Sequence, residues 1–78
     1  MKLPSFAKKY FWEVDVKRLD PAKKPVYVLK RIMEYGDPKA IRWARRVFPA
    51  SLWKKSVVSR GISKRTRNFW SSILYHKK

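Results

Sequence analysis

Residues Ser63 to His76, SKRTRNFWSSILYH, are the stretch around which the chain is organised. Successive residues of a helix lie about 100° apart, so a helical stretch of this composition divides into two faces. The apolar face is Thr66, Phe69, Trp70, Ile73 and Leu74. The polar face is Lys64, Arg67, Asn68, Ser71 and Tyr75. We therefore predict an amphipathic helix that packs Phe69 and Trp70 into a core.

The polar face of this helix is a candidate recognition surface. Cations, an amide and hydroxyls are groups that hydrogen-bond phosphate oxygens and base edges. The alternative is a face that is only solvated, as charged helix faces commonly are. Asn68 has the same two interpretations, because its amide suits either a bidentate contact to adenine or a bond to neighbouring backbone.

Charge is distributed unevenly along the chain. The formal net charge is +16 in 78 residues, and all five acidic residues lie within the first 37. Residues 38–78 contain twelve Lys or Arg and no Asp or Glu. Self-repulsion on this scale opposes compaction unless a polyanion relieves it. We expect the cations of the second half to form one continuous surface that faces a polyanion.

Composition indicates a single small folded domain. The chain is 45% hydrophobic, with four Trp and few Gly, which is too apolar for a disordered basic tail. It has no Cys, so disulfides and Cys-based metal sites are excluded. No apolar run of signal-peptide or transmembrane length follows Met1, and we expect a cytoplasmic protein without membrane association. A homodimer is left open.

Residues 1–19 are predicted to be an N-terminal arm with an aromatic anchor, and residues 20–78 a single helical domain. The arm permits an extended segment or a helical turn, since its apolar residues fit both periods. We expect Phe11 and Trp12 to plug the end of the core, with base stacking as the alternative. Glu13 and Asp15 are expected to form salt bridges to the basic surface.

Proline and glycine mark the ends of the first two helices of the domain. Pro25 suits the first turn of one helix, which Gly36 ends in a left-handed conformation. Asp37 then caps the next helix, Pro38 to Phe48. Its basic side is Lys39, Arg42, Arg45 and Arg46. Arg42 and Arg46 are one turn apart, a repulsion that an anion would relieve, although long guanidinium stems can also simply be solvated.

A third helix is predicted from Ala50 or Ser51 to Arg60, with Lys54 and Lys55 outward. Gly61 is the expected left-handed residue after it, and Ser63 the N-cap of the last helix. Two helices joined by a short Gly-containing turn have the outline of a helix-turn-helix. The fold expectation is thus all-α: a compact bundle of about four short helices, the last two helix-turn-helix-like.

Catalytic patterns are missing from the sequence. His76 is the only histidine, and no phosphate-cradling glycine loop or nucleophile elbow occurs. We expect a binding protein rather than an enzyme, with no cofactor and no metal.

Four short segments carry a resemblance to a known family: Phe11 to Asp15, Met33 to Asp37, Ile41 to Trp43 and Ser63 to Trp70. They look like a family of small uncharacterised bacterial and archaeal proteins, classed as a domain of unknown function. Members are often encoded beside nucleotidyltransferase-type toxins. The resemblance implies a small, all-helical fold and suggests an antitoxin role, and it supplies no catalytic residues.

The function expected from the sequence is nucleic-acid binding through a basic helical surface. The predicted contact residues are Lys39, Arg42, Arg45, Arg46, Lys54, Lys55, Lys64, Arg65, Arg67 and Asn68. DNA is favoured slightly over RNA, because the aromatic residues that single-strand binders expose are assigned here to the core. The alternative is an antitoxin-like or adaptor protein whose basic face covers an acidic partner such as a toxin. A third possibility is a ribosome-associated or RNA-chaperone-like protein.

Overall fold

The computed structural model describes residues 3–12 and 14–75, with Tyr75 described by its backbone alone. These residues form a 3₁₀ helix, Ser5–Tyr10, followed by four α-helices. The α-helices are α1 (Pro25–Tyr35), α2 (Pro38–Val47), α3 (Ala50–Val57) and α4 (Lys64–Tyr75). The predicted all-α fold with about four short helices is confirmed. Over the same ranges, no helix has the length and apolar character needed to cross a membrane.

The helix starts follow the predicted capping residues. Pro25 is the first residue of α1. The Asp37 carboxylate accepts a hydrogen bond from the amide of Ala40 at 2.9 Å, which caps α2. The Ser63 hydroxyl accepts one from the amide of Thr66 at 3.2 Å, which caps α4. Local sequence chemistry therefore determines where these three helices begin.

The helix ends depart from the predictions in two places. Gly36 has φ −70°, so the predicted left-handed conformation is wrong. Glycine is needed there because a Cβ would lie 2.6 Å from the carbonyl oxygen of Ile32. Gly61 is left-handed as predicted, with φ 91°. However, α3 ends at Val57 rather than Arg60, because the amide and hydroxyl of Ser59 close a tight turn on the Ser56 carbonyl, at 3.1 and 2.7 Å.

Helix α1 lies at the centre of the fold. It contacts each of the other four helices, most extensively α3. Its buried residues Val28, Leu29, Ile32 and Met33 share one broad face, which spans about 140° of the helix and so can meet more than one neighbour. Helix α2 packs against α1 and the 3₁₀ helix, whereas α4 packs against α3 and α1.

The N-terminal segment is helical and packs into the core. Leu3, Ala7 and Phe11 are all buried in the same hydrophobic cluster as α1. Phe11 is 1% exposed and plugs the core as predicted. Trp12 is 62% exposed, so the prediction that it also plugs the core is wrong. The division into an arm and a domain at residue 20 stays a prediction.

The contact between α3 and α4 is aromatic. The rings of Trp53 and Trp70, each 3% exposed, lie 5.1 Å apart between centroids. Phe69 is 60% exposed, so its predicted core position is wrong. The two helices pack directly and are joined by residues 58–63, while a helix-turn-helix-like arrangement stays a prediction.

Candidate nucleic-acid interface

The ten contact residues predicted from the sequence are all exposed in the structure. They lie on three helices: Lys39, Arg42, Arg45 and Arg46 on α2, Lys54 and Lys55 on α3, and Lys64, Arg65, Arg67 and Asn68 on α4. Exposure makes all of them available to a ligand. The neighbours of each one decide whether it already has a role in holding the fold.

The α2 face, which we define as Lys39, Arg42, Arg45 and Arg46, has structural explanations for most of its charges. The ammonium of Lys39 lies 4.8 Å from the centroid of the Phe6 ring, a cation–π contact to the 3₁₀ helix. Arg45 and Arg46 are in the last turn of α2, where cations stabilise the negative end of the helix dipole. Arg42 has neither of these explanations.

The two lysines of α3 have a similar explanation. Lys54 and Lys55 lie in the last turn of this short helix, again at the negative end of the dipole. They therefore contribute to helix stability as well as to surface charge.

The first turn of α4 is different. Lys64, Arg65 and Arg67 are concentrated there, with no acidic residue among them. Cations at the positive end of a helix dipole destabilise the helix, by about 0.3–1 kcal/mol each at exposed sites. The guanidinium of Arg67 donates a hydrogen bond to the carbonyl oxygen of Ser59 at 3.4 Å, which holds it beside the turn after α3. Lys64 and Arg65 are thus poorly explained by helix stability, whereas Arg67 has this one contact within the fold.

Two further cations, Lys30 and Arg60, lie at the turn between α3 and α4 and were not among the predicted contact residues. The Lys30 ammonium donates a hydrogen bond to the carbonyl oxygen of Arg60 at 2.7 Å. It also lies 3.4 Å from the place where a Cβ on Gly61 would be. The many Arg and Lys residues that flank Gly61 in the sequence could have indicated Arg60. Lys30 reaches this turn only because α1 packs beside it, which the sequence does not show. We call Lys30, Arg60, Lys64, Arg65 and Arg67 the junction patch.

The basic residues do not all belong to one packed unit. The junction patch lies on α1, on α4 and in the turn after α3, while the α2 face is carried by a helix that packs mainly against α1 and the 3₁₀ helix. The α3 and α4 cations are on helices that pack directly against each other, whereas α2 has its main contacts elsewhere. One continuous surface stays a prediction.

Two acidic residues of the first half of the chain form ion pairs with cations of that same half. Asp37 pairs with Lys9 at 3.8 Å and Asp15 with Arg18 at 3.9 Å. The predicted salt bridge from Asp15 to the basic surface is therefore wrong, because Arg18 is one helical turn away in sequence. Glu13 lies outside the described residues. These two ion pairs leave the junction patch uncompensated by Asp15 and Asp37.

Glu34 is the acidic residue that reaches the junction patch. Its carboxylate accepts hydrogen bonds from the hydroxyl and the amide of Ser63, at 2.8 and 3.3 Å. Burial by itself raises the pKa of Glu34, but hydrogen bonds from Thr66 and Ser63 outweigh it and hold the pKa below its ordinary value of 4.5. Glu34 therefore ties α1 to the N-terminus of α4.

Acid should weaken this tie. A carboxylate whose pKa is lowered by folding contributes stability above its unfolded-state pKa, and that stability is lost as the pH falls through the lower folded-state pKa. We expect the free energy of unfolding to fall from about pH 5 downward, and Glu34→Gln to reduce this dependence. Urea unfolding at a series of pH values measures both. An identical pH dependence in the two proteins would contradict the assignment to Glu34.

Exposed aromatic residues form a second feature near the junction patch. The guanidinium carbon of Arg31 lies 4.0 Å from the centroid of the Trp12 ring and 5.0 Å from that of Tyr35. The Trp12 and Tyr35 rings meet edge to face with centroids 4.9 Å apart. We call Trp12, Arg31 and Tyr35 the aromatic cluster. The sequence predicted a core position for Trp12 and did not bring it together with Tyr35.

Residues 3–12 and 14–75 contain no group of three or more His, Cys, Asp or Glu placed to hold a metal ion. His76, the sole histidine, lies outside these ranges.

The chain was compared with protein families, curated proteins and solved structures. No curated protein and no solved structure matches it. One family model matches residues 6–60, which run from the 3₁₀ helix through α3 to Arg60. The match covers more than half of the chain and ends before the Ser63 to Trp70 segment. The chain therefore belongs to DUF6922, a family of unknown function.

Proposed function

We propose that the protein binds nucleic acid in the cytoplasm, with the junction patch as the principal contact. The observation that carries this proposal is the first turn of α4, where Lys64, Arg65 and Arg67 stand at the positive end of a helix dipole and the turn itself holds no acidic residue. Glu34 of α1 brings one carboxylate to Ser63 at this helix end, against three cations. The arrangement disfavours the helix and favours a bound anion. A phosphate backbone supplies several anions in a row, which matches a patch of several cations.

Counterion release supplies the affinity. A cation that neutralises a phosphate displaces a condensed counterion from the nucleic acid, and the entropy of that release drives binding. Such contacts carry no base sequence information by themselves. Asn68 is exposed on α4 next to Arg67, where its amide is available to a base edge. The proposed division of roles is therefore affinity from the junction patch and a base contact from Asn68.

The sequence-based preference for DNA over RNA is weakened by the exposure of two aromatic residues. It depended on the aromatic residues being core residues, and both Trp12 and Phe69 are more than half exposed. Binding to the phosphate backbone needs no choice between DNA and RNA.

Salt dependence tests the proposal. We expect the protein to bind a mixed-sequence duplex, with an association constant that falls by about 4 to 5 decades per decade of salt if all five cations of the junction patch contact phosphates, since each contact contributes about 0.9. Fluorescence anisotropy of a labelled duplex at several KCl concentrations measures this slope. A slope near zero, or no binding at low salt, would contradict the proposal. Affinity that emerges only for an acidic partner protein would support the antitoxin-like or adaptor alternative.

A further inference from the structure

The aromatic cluster is held in place by the backbone of the N-terminal segment. The guanidinium Nε of Arg31 donates a hydrogen bond to the carbonyl oxygen of Tyr10 at 2.9 Å, which fixes the guanidinium against the Trp12 ring. Tyr35, one turn further along α1, is 48% exposed and approaches Trp12 with its edge. Two side chains of α1 thus support the indole. Trp12 nevertheless is 62% exposed to solvent.

The core does not require Trp12. Its neighbour Phe11 is 1% exposed and packs against Tyr27, with ring centroids 5.9 Å apart. A single exposed apolar side chain needs no special explanation. Two exposed rings ordered around a hydrogen-bonded guanidinium are a different case, because the indole is held in position before a ligand arrives and its exposed surface is open to another π system.

A shallow cleft joins the aromatic cluster to the junction patch. Its volume is about 150 Å³, and it is lined by Tyr27, Lys30, Arg31, Glu34, Tyr35 and Gly61. A ligand on Trp12 and Tyr35 therefore has the cations of Lys30 and Arg31 beside it, while the Glu34 carboxylate in the same cleft is bonded to Ser63. Exposed aromatic rings next to cations are the combination by which proteins hold single-stranded nucleic acids, with bases on the rings and the backbone along the charges.

We propose that the aromatic cluster binds an unpaired nucleobase of a single-stranded nucleic acid by stacking on Trp12, while Lys30 and Arg60 contact the adjacent phosphates. The inference rests on the proposed function and adds the class of ligand. A base inside a duplex is already stacked on both sides and does not reach the indole. The net charge of +16 favours a polyanionic strand over a protein segment as the occupant.

The test compares a labelled single strand of mixed sequence with a duplex of the same length, by fluorescence anisotropy at one low KCl concentration. We expect Trp12→Ala to weaken single-strand binding about tenfold, as loss of one stacked base does, and to leave duplex binding unchanged. Trp12→Phe keeps a ring and should restore most of the affinity. Tyr35→Ala is the second variant of the cluster and should also weaken single-strand binding selectively.

Phe69→Ala is the matched control. Phe69 is as exposed as Trp12 but lies on α4, outside the aromatic cluster, and its removal should leave single-strand binding unchanged. Circular dichroism melts of all variants establish that they are folded.

Three outcomes overturn the inference separately from the proposed function. If Trp12→Ala and Tyr35→Ala bind the single strand as wild type does, or if Phe69→Ala weakens it equally, the cluster does not stack a base although the protein still binds nucleic acid. If Trp12→Ala weakens both probes equally, the loss is not one of stacking. Absence of binding to either probe by the wild-type protein overturns the proposed function and this inference together.

Discussion

Trp70→Ala should lower the free energy of unfolding by about 3–5 kcal/mol, the range measured for removing large aromatic side chains from cores. Trp70 is 3% exposed, its ring packs on that of Trp53, and its indole nitrogen donates a hydrogen bond to the carbonyl oxygen of Met33 at 3.4 Å. A domain of this size has a total stability of roughly 4–12 kcal/mol, so the variant should lose a large share of it. Urea unfolding followed by circular dichroism measures the change without depending on tryptophan fluorescence.

The adjacent residue provides the control. Phe69→Ala removes an aromatic ring of similar size from the same helix, but this ring is 60% exposed and meets Trp70 only with its edge. We expect a loss of less than about 1 kcal/mol, as for most surface substitutions. Equal losses in the two variants would show that the core includes both rings and would contradict the described packing of α4.

Phe69 and Trp70 show how far a sequence pattern can specify the packing of a helix. The amphipathic pattern predicted α4 correctly and gave it a broad apolar face. Packing against α3 and α1 covers only part of that face, along Thr66, Trp70 and Leu74, which recur every four residues. Phe69 and Ile73 lie on its uncovered edge. Which edge of a wide apolar face meets the core depends on the neighbouring helices, and the sequence of α4 alone does not contain that information.

Helix starts were more predictable than contacts between helices. Pro25, Asp37 and Ser63 act through bonds and dihedral angles within a few residues, and such local chemistry is readable from sequence. The exposed positions of the ten predicted contact residues follow from the helical periodicity of the polar residues, which is also a local property. Lys30 and Trp12 could not be assigned this way, because their neighbours Arg60 and Arg31 lie 30 and 19 residues away in the chain. The residues of the candidate site that the sequence did not predict are therefore those that reach it through long-range contacts.

Neutralising the first turn of α4 should have the largest effect on binding. We expect the triple variant Lys64→Gln, Arg65→Gln, Arg67→Gln to lower affinity for a duplex by about two to three decades near 0.1 M salt, because each lost phosphate contact removes about 0.9 decade of affinity there and about 0.9 from the salt slope. Anisotropy titrations at several KCl concentrations give both quantities. Since these cations oppose the dipole of α4, their removal should leave the folded state as stable as before or slightly more stable.

The α2 face supplies a variant of equal charge. Arg42→Gln, Arg45→Gln, Arg46→Gln also removes three positive charges, so a binding mode that responds only to net charge would weaken equally in both triple variants. The structure favours a difference, because Arg45 and Arg46 stabilise the last turn of α2, whereas Lys64, Arg65 and Arg67 join Lys30 and Arg60 around one turn. We expect the α2 variant to lose less affinity and less salt slope, and to lose stability instead. The opposite order would make the α2 face the principal contact and leave the junction patch as solvated charge.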